Sequence, residues 1–286
     1  MNKVKIISDS TCDLTKEIVE KYDIEIVPLF VTFKEESYRD GVDITTPDVY
    51  KMVKEYNELP KTAAISIDAL TEVFKKYVDE GYDVVFTGIS RAMSRTYENA
   101  VLAAQEVGED RVFVVDSKNL STGIAHIVLK ACEYRDKGDS ASVIAAKMER
   151  DRELVYSQFS IERMDYLHKG GRCTGIARFL GTLLKIKPII VVRDGKMSVG
   201  KKPIGKMKIS LDAQINMILA DKDRLDKSRI FVTHSIAPES EEYMVKRLKE
   251  LFPDVEIIVT VAGCVISSHC GPGTIGVLYM VKDENK

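Results

Sequence analysis

No surplus of positive charge runs through this chain: 42 lysines and arginines face 44 aspartates and glutamates, leaving a formal charge of −2. A global field able to hold nucleic acid is excluded, although a local basic patch is not. No apolar stretch approaches the roughly 20 residues that span a bilayer. The opening run from Met1 to Asp9 lacks the apolar centre of a signal peptide, so a cytoplasmic location is expected. The five cysteines, at 12, 132, 173, 264 and 270, form no C-x-x-C pair, and their odd number cannot be fully disulfide-bonded within one chain. Reduced thiols and no metal site are expected. Internal repeats, low-complexity segments and long linkers are missing as well.

What is present suffices for real cores. The 286 residues are 45% apolar, enough for one large domain or two ordinary ones. Short β-branched runs alternate with helical patterns from the start, the signature of βαβ units in a mostly parallel sheet. Val4–Ile7, Ile24–Val31, Asp83–Thr87 and Arg111–Val115 read as strands. Leu70, Val73, Phe74, Tyr77 and Val78 form one apolar helix stripe, with Asp68 placed to cap it. After Glu153 the rhythm changes, which places a boundary near residue 155. Residues 1–155 are expected as one α/β domain and 156–286 as a second. In the second, the Asp194-Gly195 turn between two strand patterns signals a hairpin and therefore a mixed sheet.

Three segments imitate known sites and fall short. Gly271-Pro272-Gly273-Thr274-Ile275-Gly276 satisfies G-x-G-x-x-G, but a strand pattern follows it instead of a helix. Gly200 to Lys206 imitates a phosphate loop, yet Met207 stands where a magnesium-binding hydroxyl belongs. Gly88-Ile89-Ser90-Arg91-Ala92 sits between strand and helix like a nucleophile elbow, with Ala92 in place of the second glycine. A Ser-His esterase of the α/β class, using Ser90 or Ser94 with His269, therefore stays open as a rival reading.

Hydroxyl-rich loops follow three of the strand patterns: Ser8 to Thr11, Ser90 to Thr96, and Asp116 to Asn119. In an open α/β sheet such loops share the carboxyl edge where ligands bind, and hydroxyls with helix-first amides suit a carboxylate or phosphate. Any one of these residues is explained by helix capping; their coincidence at one edge is not. Gly170-Gly171 before Arg172, and Gly271-Pro272-Gly273 after His269, add charge-handling groups beside backbone of unusual freedom.

Read in order, Ser8-Asp9-Ser10-Thr11, Pro60-Lys61-Thr62, Ile89-Ser90 to Ser94 with Thr96-Tyr97, Asp116-Ser117, Tyr166-Leu167 with Gly170-Gly171-Arg172, and His269 with Gly271-Pro272-Gly273-Thr274 resemble the DegV family. The resemblance covers essentially the whole chain. It implies two α/β domains holding one long-chain fatty acid between them, without catalysis or cofactor. It implies as partner a separate ATP-dependent fatty acid kinase, to which the acyl carboxylate is presented; transient contact with a membrane surface is also expected, and nucleic acid is not. Carried over, Thr62 and Ser94 hold the carboxylate, while Arg172 and His269 serve the head-group end. Two departures stand out. Ala63-Ala64-Ile65-Ser66 replaces the family's usual Ser-Gln-Pro-Ser, and Arg95 replaces a glycine, setting a cation beside the site. A ligand that has drifted from fatty acid is the third reading left open.

Overall fold

β1 (Lys3–Asp9) is buried along six of its seven residues, as a central strand covered on both faces must be. The computed structural model describes residues 2–180 and 185–283. β1 pairs in parallel with β2 (Ile24–Val27). The expected single strand from Ile24 to Val31 is in fact two, divided at Pro28-Leu29. Pro28 has no N–H to give a ladder, and the Leu29 N–H is taken by the Ser10 hydroxyl at 3.1 Å. Beyond the break, β3 (Phe30–Phe33) joins β4 (Glu36–Arg39) and β5 (Lys61–Ala63) in a separate antiparallel sheet, order β4-β3-β5. On the other side of β1 lie β6 (Tyr82–Gly88) and β7 (Val112–Asp116), which complete an all-parallel sheet of order β2-β1-β6-β7.

The helices of this half are α1 (Lys16–Lys21), α2 (Thr46–Tyr56), α3 (Ile67–Asp79), α4 (Thr96–Val107), α5 (Thr122–Asp136) and α6 (Ala141–Asp151). α3 buries Leu70, Phe74 and Tyr77, the stripe read from sequence. Its cap is Ser66 and not Asp68: the Ser66 hydroxyl accepts the Ala69 N–H at 3.3 Å, and Asp68 lies in the first turn. α5 is buried on every face from Thr122 to Leu129, because it packs against β1 and β6 on one side and against strands of the second sheet on the other.

That second sheet has seven strands: β8 (Val155–Ser160), β9 (Cys173–Thr174), β10 (Ile189–Arg193), β11 (Lys196–Val199), β12 (Leu225–Ser235), β13 (Glu256–Val261) and β14 (Thr274–Val281). Their order is β13-β12-β14-β8-β10-β11-β9, with parallel pairs at β12–β13 and β11–β9 and antiparallel pairs elsewhere. The sheet is mixed, and Asp194-Gly195 makes the β10–β11 hairpin with both residues at positive φ, 48° and 75°. α7 (Met164–Gly170), α8 (Met207–Ala220), α9 (Pro238–Leu251) and α10 (Cys264–Cys270) complete the fold. The phosphate-loop imitation is an extended arm paired to residues 185–189: Ile189 N–H meets the Lys201 carbonyl and Gly205 N–H meets the Lys185 carbonyl.

One apolar core runs from β1 through α5 to β14, and a second lies between β12, β14, α8 and α9. No helix among the described residues is long and apolar enough to cross a membrane.

Candidate functional site

A cavity of about 470 Å³ opens among the loops after β6, the ends of β12 and β13, and α10. Its walls are mostly apolar, with Leu29, Met93, Phe159, Leu167, Met197 and Leu278 among them. Thr62, Ser94, Arg95, Arg172 and His269 all line this one cavity, although they come from four different elements or loops.

Thr62 is carried by β5, opposite Val31 of β3, so its position follows from the strand break at Pro28. His269 is carried near the end of α10, a helix not foreseen from the sequence. That helix is set in place at its start by two buried carboxylates. The Asp13 Oδ1 accepts the Gly263 N–H at 2.8 Å, and the Asp40 Oδ1 accepts the Cys264 N–H at 2.7 Å. They satisfy amides that a helix start leaves free. Both carboxyls are raised above their ordinary range, chiefly by burial. The helix stops at Gly271, whose φ of 76° suits a residue without a Cβ.

The two side chains meet: His269 Nε2 lies 2.8 Å from Thr62 Oγ1. The other ring nitrogen, Nδ1, is buried with no hydrogen-bond partner among the described residues. Burying an N–H without an acceptor costs more than burying a lone pair, so Nδ1 is the bare nitrogen and Nε2–H donates to Thr62. The Thr62 hydroxyl hydrogen is thereby left to give to a ligand. Burial, with the Arg172 charge adding to it, pushes the His269 pKa down to about 4. The imidazole is neutral at cellular pH, which narrows the sequence expectation of a ring free to be neutral or charged.

Ser94 lies in the turn between β6 and α4. Its hydroxyl accepts the Thr96 N–H at 3.2 Å and shares a proton with Thr96 Oγ1 at 3.0 Å. Arg95 is the exposed residue preceding α4. Arg172 spans two walls, donating from Nη1 to the Gly170 carbonyl at 2.6 Å and from Nε to the Met93 carbonyl at 3.4 Å. Ala63 and Ala64 face the cavity, whereas Ile65 is core. Ser90 is wholly buried and donates to the Gly195 carbonyl at 2.9 Å. Neither Ser90 nor Ser94 is within hydrogen-bond distance of His269.

Sequence reasoning missed Asp13 and Asp40, and it missed Arg91, which lines the cavity beside Arg95. Gly271 was the available signal for α10, as a glycine closing a run of helix-compatible residues. Among the described residues no three His, Cys, Asp or Glu side chains are grouped to hold a metal.

Comparison with known proteins agrees with the resemblance. The family model described as uncharacterised protein, DegV family, matches residues 3–282. A DegV domain-containing protein of Clostridium acetobutylicum is 34% identical over 283 residues, covering 99% of this chain and 100% of that one. A fatty acid-binding protein of Thermotoga maritima is 33% identical, with 96% of each chain covered. Among solved structures, a fatty acid-binding DegV family protein of Thermus thermophilus superposes with a TM-score of 0.90 at 31% identity, over 98% of this chain and all of that one. A stearic acid-binding protein of Eubacterium ventriosum gives 0.86 at 30% identity, over the whole of both chains. The chain belongs to the DegV family.

Proposed function

We propose that this chain holds one long-chain fatty acid between its two α/β domains and presents the carboxylate, at Thr62, Ser94 and His269, to a separate ATP-dependent kinase. The observation that carries the reading is the Thr62–His269 pair at 2.8 Å, set in the wall of a mostly apolar cavity. It supports the reading by leaving one neutral donor, the Thr62 hydroxyl oriented by His269, beside mostly apolar wall suited to an acyl chain. About 14 methylenes at roughly 0.8 kcal/mol each contribute on the order of 10 kcal/mol when buried, so the tail dominates affinity. Hydroxyl donors then suffice at the head and leave a carboxylate oxygen for phosphoryl transfer. The fatty acids bound by the Thermus and Eubacterium relatives support the same class of ligand.

The esterase reading loses support from the same geometry. A nucleophilic serine needs its base within hydrogen-bond reach and an orienting partner behind the base. Ser90 donates to a carbonyl, Ser94 pairs with Thr96, and His269 Nδ1 has no partner among the described residues. An organic extract of the purified protein, analysed by mass spectrometry, tests the proposal. Stoichiometric long-chain fatty acid is expected; a lipid-free protein that turns over esters would overturn it.

A further inference from the structure

Three threonines from three elements form one chain of hydroxyls beside the cavity. Thr122 opens α5, Thr233 lies on β12 and Thr260 on β13; Thr233 Oγ1 is 2.6 Å from Thr122 Oγ1 and 2.9 Å from Thr260 Oγ1. Of the three, only Thr233 lines the cavity. The trio holds three hydroxyl protons and makes two bonds, and none of its side chains has another partner among the described residues. One proton is therefore unspent. On Thr122 or Thr260 it would sit in packed wall with nothing to accept it, since both residues are at most 2% exposed. With both of them donating to Thr233, the free proton is that of Thr233, at the cavity surface where a ligand can take it. Two neighbours supply acceptors. Ser235, two residues on along the same face of β12, accepts from Tyr50 and gives its proton to Ser267 Oγ at 2.7 Å, because Ser267 gives its own to the Ala262 carbonyl at 3.0 Å. Ser121 donates to Asp13 Oδ2. Both serines line the cavity, and each oxygen keeps a lone pair.

This group stands away from the Thr62–His269 pair. Ala262, Val265, Ile266 and His269 line the cavity at i, i+3, i+4 and i+7, so one face of α10 and its approach runs along it. His269 is at one end; at the other the Gly263 N–H meets Asp13, the carboxyl that also holds Ser121. At about 1.5 Å per residue the two ends are roughly 9 Å apart, which sets Ser121 and Thr233 beside the middle of an acyl chain whose carboxylate is at Thr62. A methylene there leaves the Thr233 proton unsatisfied. A hydroxyl takes it and gives its own proton to Ser121 or Ser235. Resting on the fatty-acid reading above, we infer that the cavity is built for a long-chain fatty acid carrying a mid-chain hydroxyl, received by Thr233, Ser121 and Ser235.

The test is displacement of a fluorescent fatty acid by stearate and by hydroxystearates with the hydroxyl on different carbons. A mid-chain isomer is expected to bind no more weakly than stearate, and about tenfold more tightly than the α-hydroxy isomer or one hydroxylated near the methyl end. Thr233→Val keeps the shape and removes the donor. It should reverse the order, with stearate gaining and the mid-chain isomer losing about tenfold. The change also strips Thr122 and Thr260 of their partner, so the unfolding midpoint should fall; the wild-type series decides the inference without the variant. Stearate binding more tightly than every hydroxy isomer, or a folded variant that keeps the wild-type order, would overturn the inference and leave the fatty-acid reading intact. Displacement by none of the acids, stearate included, would overturn both.

Discussion

Gly170 and His269 are in contact: a Cβ at residue 170 would lie 2.4 Å from the ring Nδ1. The glycine is therefore demanded by close approach, and the ring is held from behind by backbone while Thr62 holds it in front. Gly170→Ala should drive the ring off Thr62 and cost about 1–3 kcal/mol, the usual range for overpacking. Gly171→Ala is the control. Its Cβ meets nothing, although its φ of 69° carries a cost of about 1 kcal/mol. Thermal unfolding with lipid extraction should show both variants destabilised and the first depleted of fatty acid; equal lipid content in the two would contradict the argument.

Thr62→Ala and Ser94→Ala should each weaken fatty acid retention modestly. A hydrogen bond to an ion contributes roughly 1.5–3 kcal/mol, against the larger tail contribution. Ser94→Ala also removes the acceptor of the Thr96 N–H, so it should loosen the start of α4, which Thr62→Ala should not do. Competition with a fluorescent fatty acid measures the first effect and amide exchange the second. A double variant that binds like wild type would remove both residues from the site.

Stability should depend on pH through opposed groups. His269 and His126 are both held near 4 by burial, below the ordinary 6.5. Between these values the unfolded chain takes up the proton first, so their contribution is complete above about 6.5 and is lost as pH falls toward 4. Asp9 runs the other way. Burial raises it to about 6 from 3.8, the native state holds the proton longer, and stability declines as pH rises through that window. Each is worth on the order of 3 kcal/mol, so the effects partly cancel between pH 4 and 6. In Asp9→Asn the cancellation is weakened, and denaturant titrations should show a steeper loss on acidification than in wild type. An unchanged slope would rule the pairing out.

The βα rhythm and the mixed second sheet were legible because periodicity and the Asp-Gly turn are local signals. The break at Pro28 was written in the sequence too, but β-branched residues on both sides outweighed one proline. His269 was legible as a site residue from its glycine-rich surroundings, whereas α10 was not. Seven residues carry too little periodicity to declare a helix, and its anchors, Asp13 and Asp40, lie more than 200 residues away in sequence. Asp68 and Ser66 both carry an oxygen suited to capping α3, and only the backbone position decides between them.

Arg172→Ala should leave bound fatty acid largely in place, since the tail supplies most of the affinity. The guanidinium contacts two carbonyls and lines the cavity at the proposed head-group end, so its loss should be felt in phosphoryl transfer from an added kinase. Arg172→Lys should not rescue, because one ammonium cannot reproduce a fork that bonds Gly170 and Met93 together. Depleted lipid with normal transfer would reverse the assignment.

Asp40 lines no part of the cavity, yet its replacement should empty it. Its carboxylate accepts the Cys264 N–H at 2.7 Å, the Val265 N–H at 3.4 Å and the Ser10 hydroxyl at 3.0 Å, tying the start of α10 to the loop after β1. In Asp40→Ala those donors are left in a buried site, at about 1–3 kcal/mol for each that goes unsatisfied. The short helix must shift to find water or other partners, and His269 at its far end shifts with it. Asp40→Asn keeps one acceptor for Cys264 and sheds the cost of a buried charge, so it should restore most of the lost function. The expected order of fatty acid retention is wild type, then Asn, then Ala, measured by dissociation rate at a temperature where all three remain folded. If the alanine variant were destabilised but released fatty acid at the wild-type rate, Asp40 would be a structural residue that does not position His269.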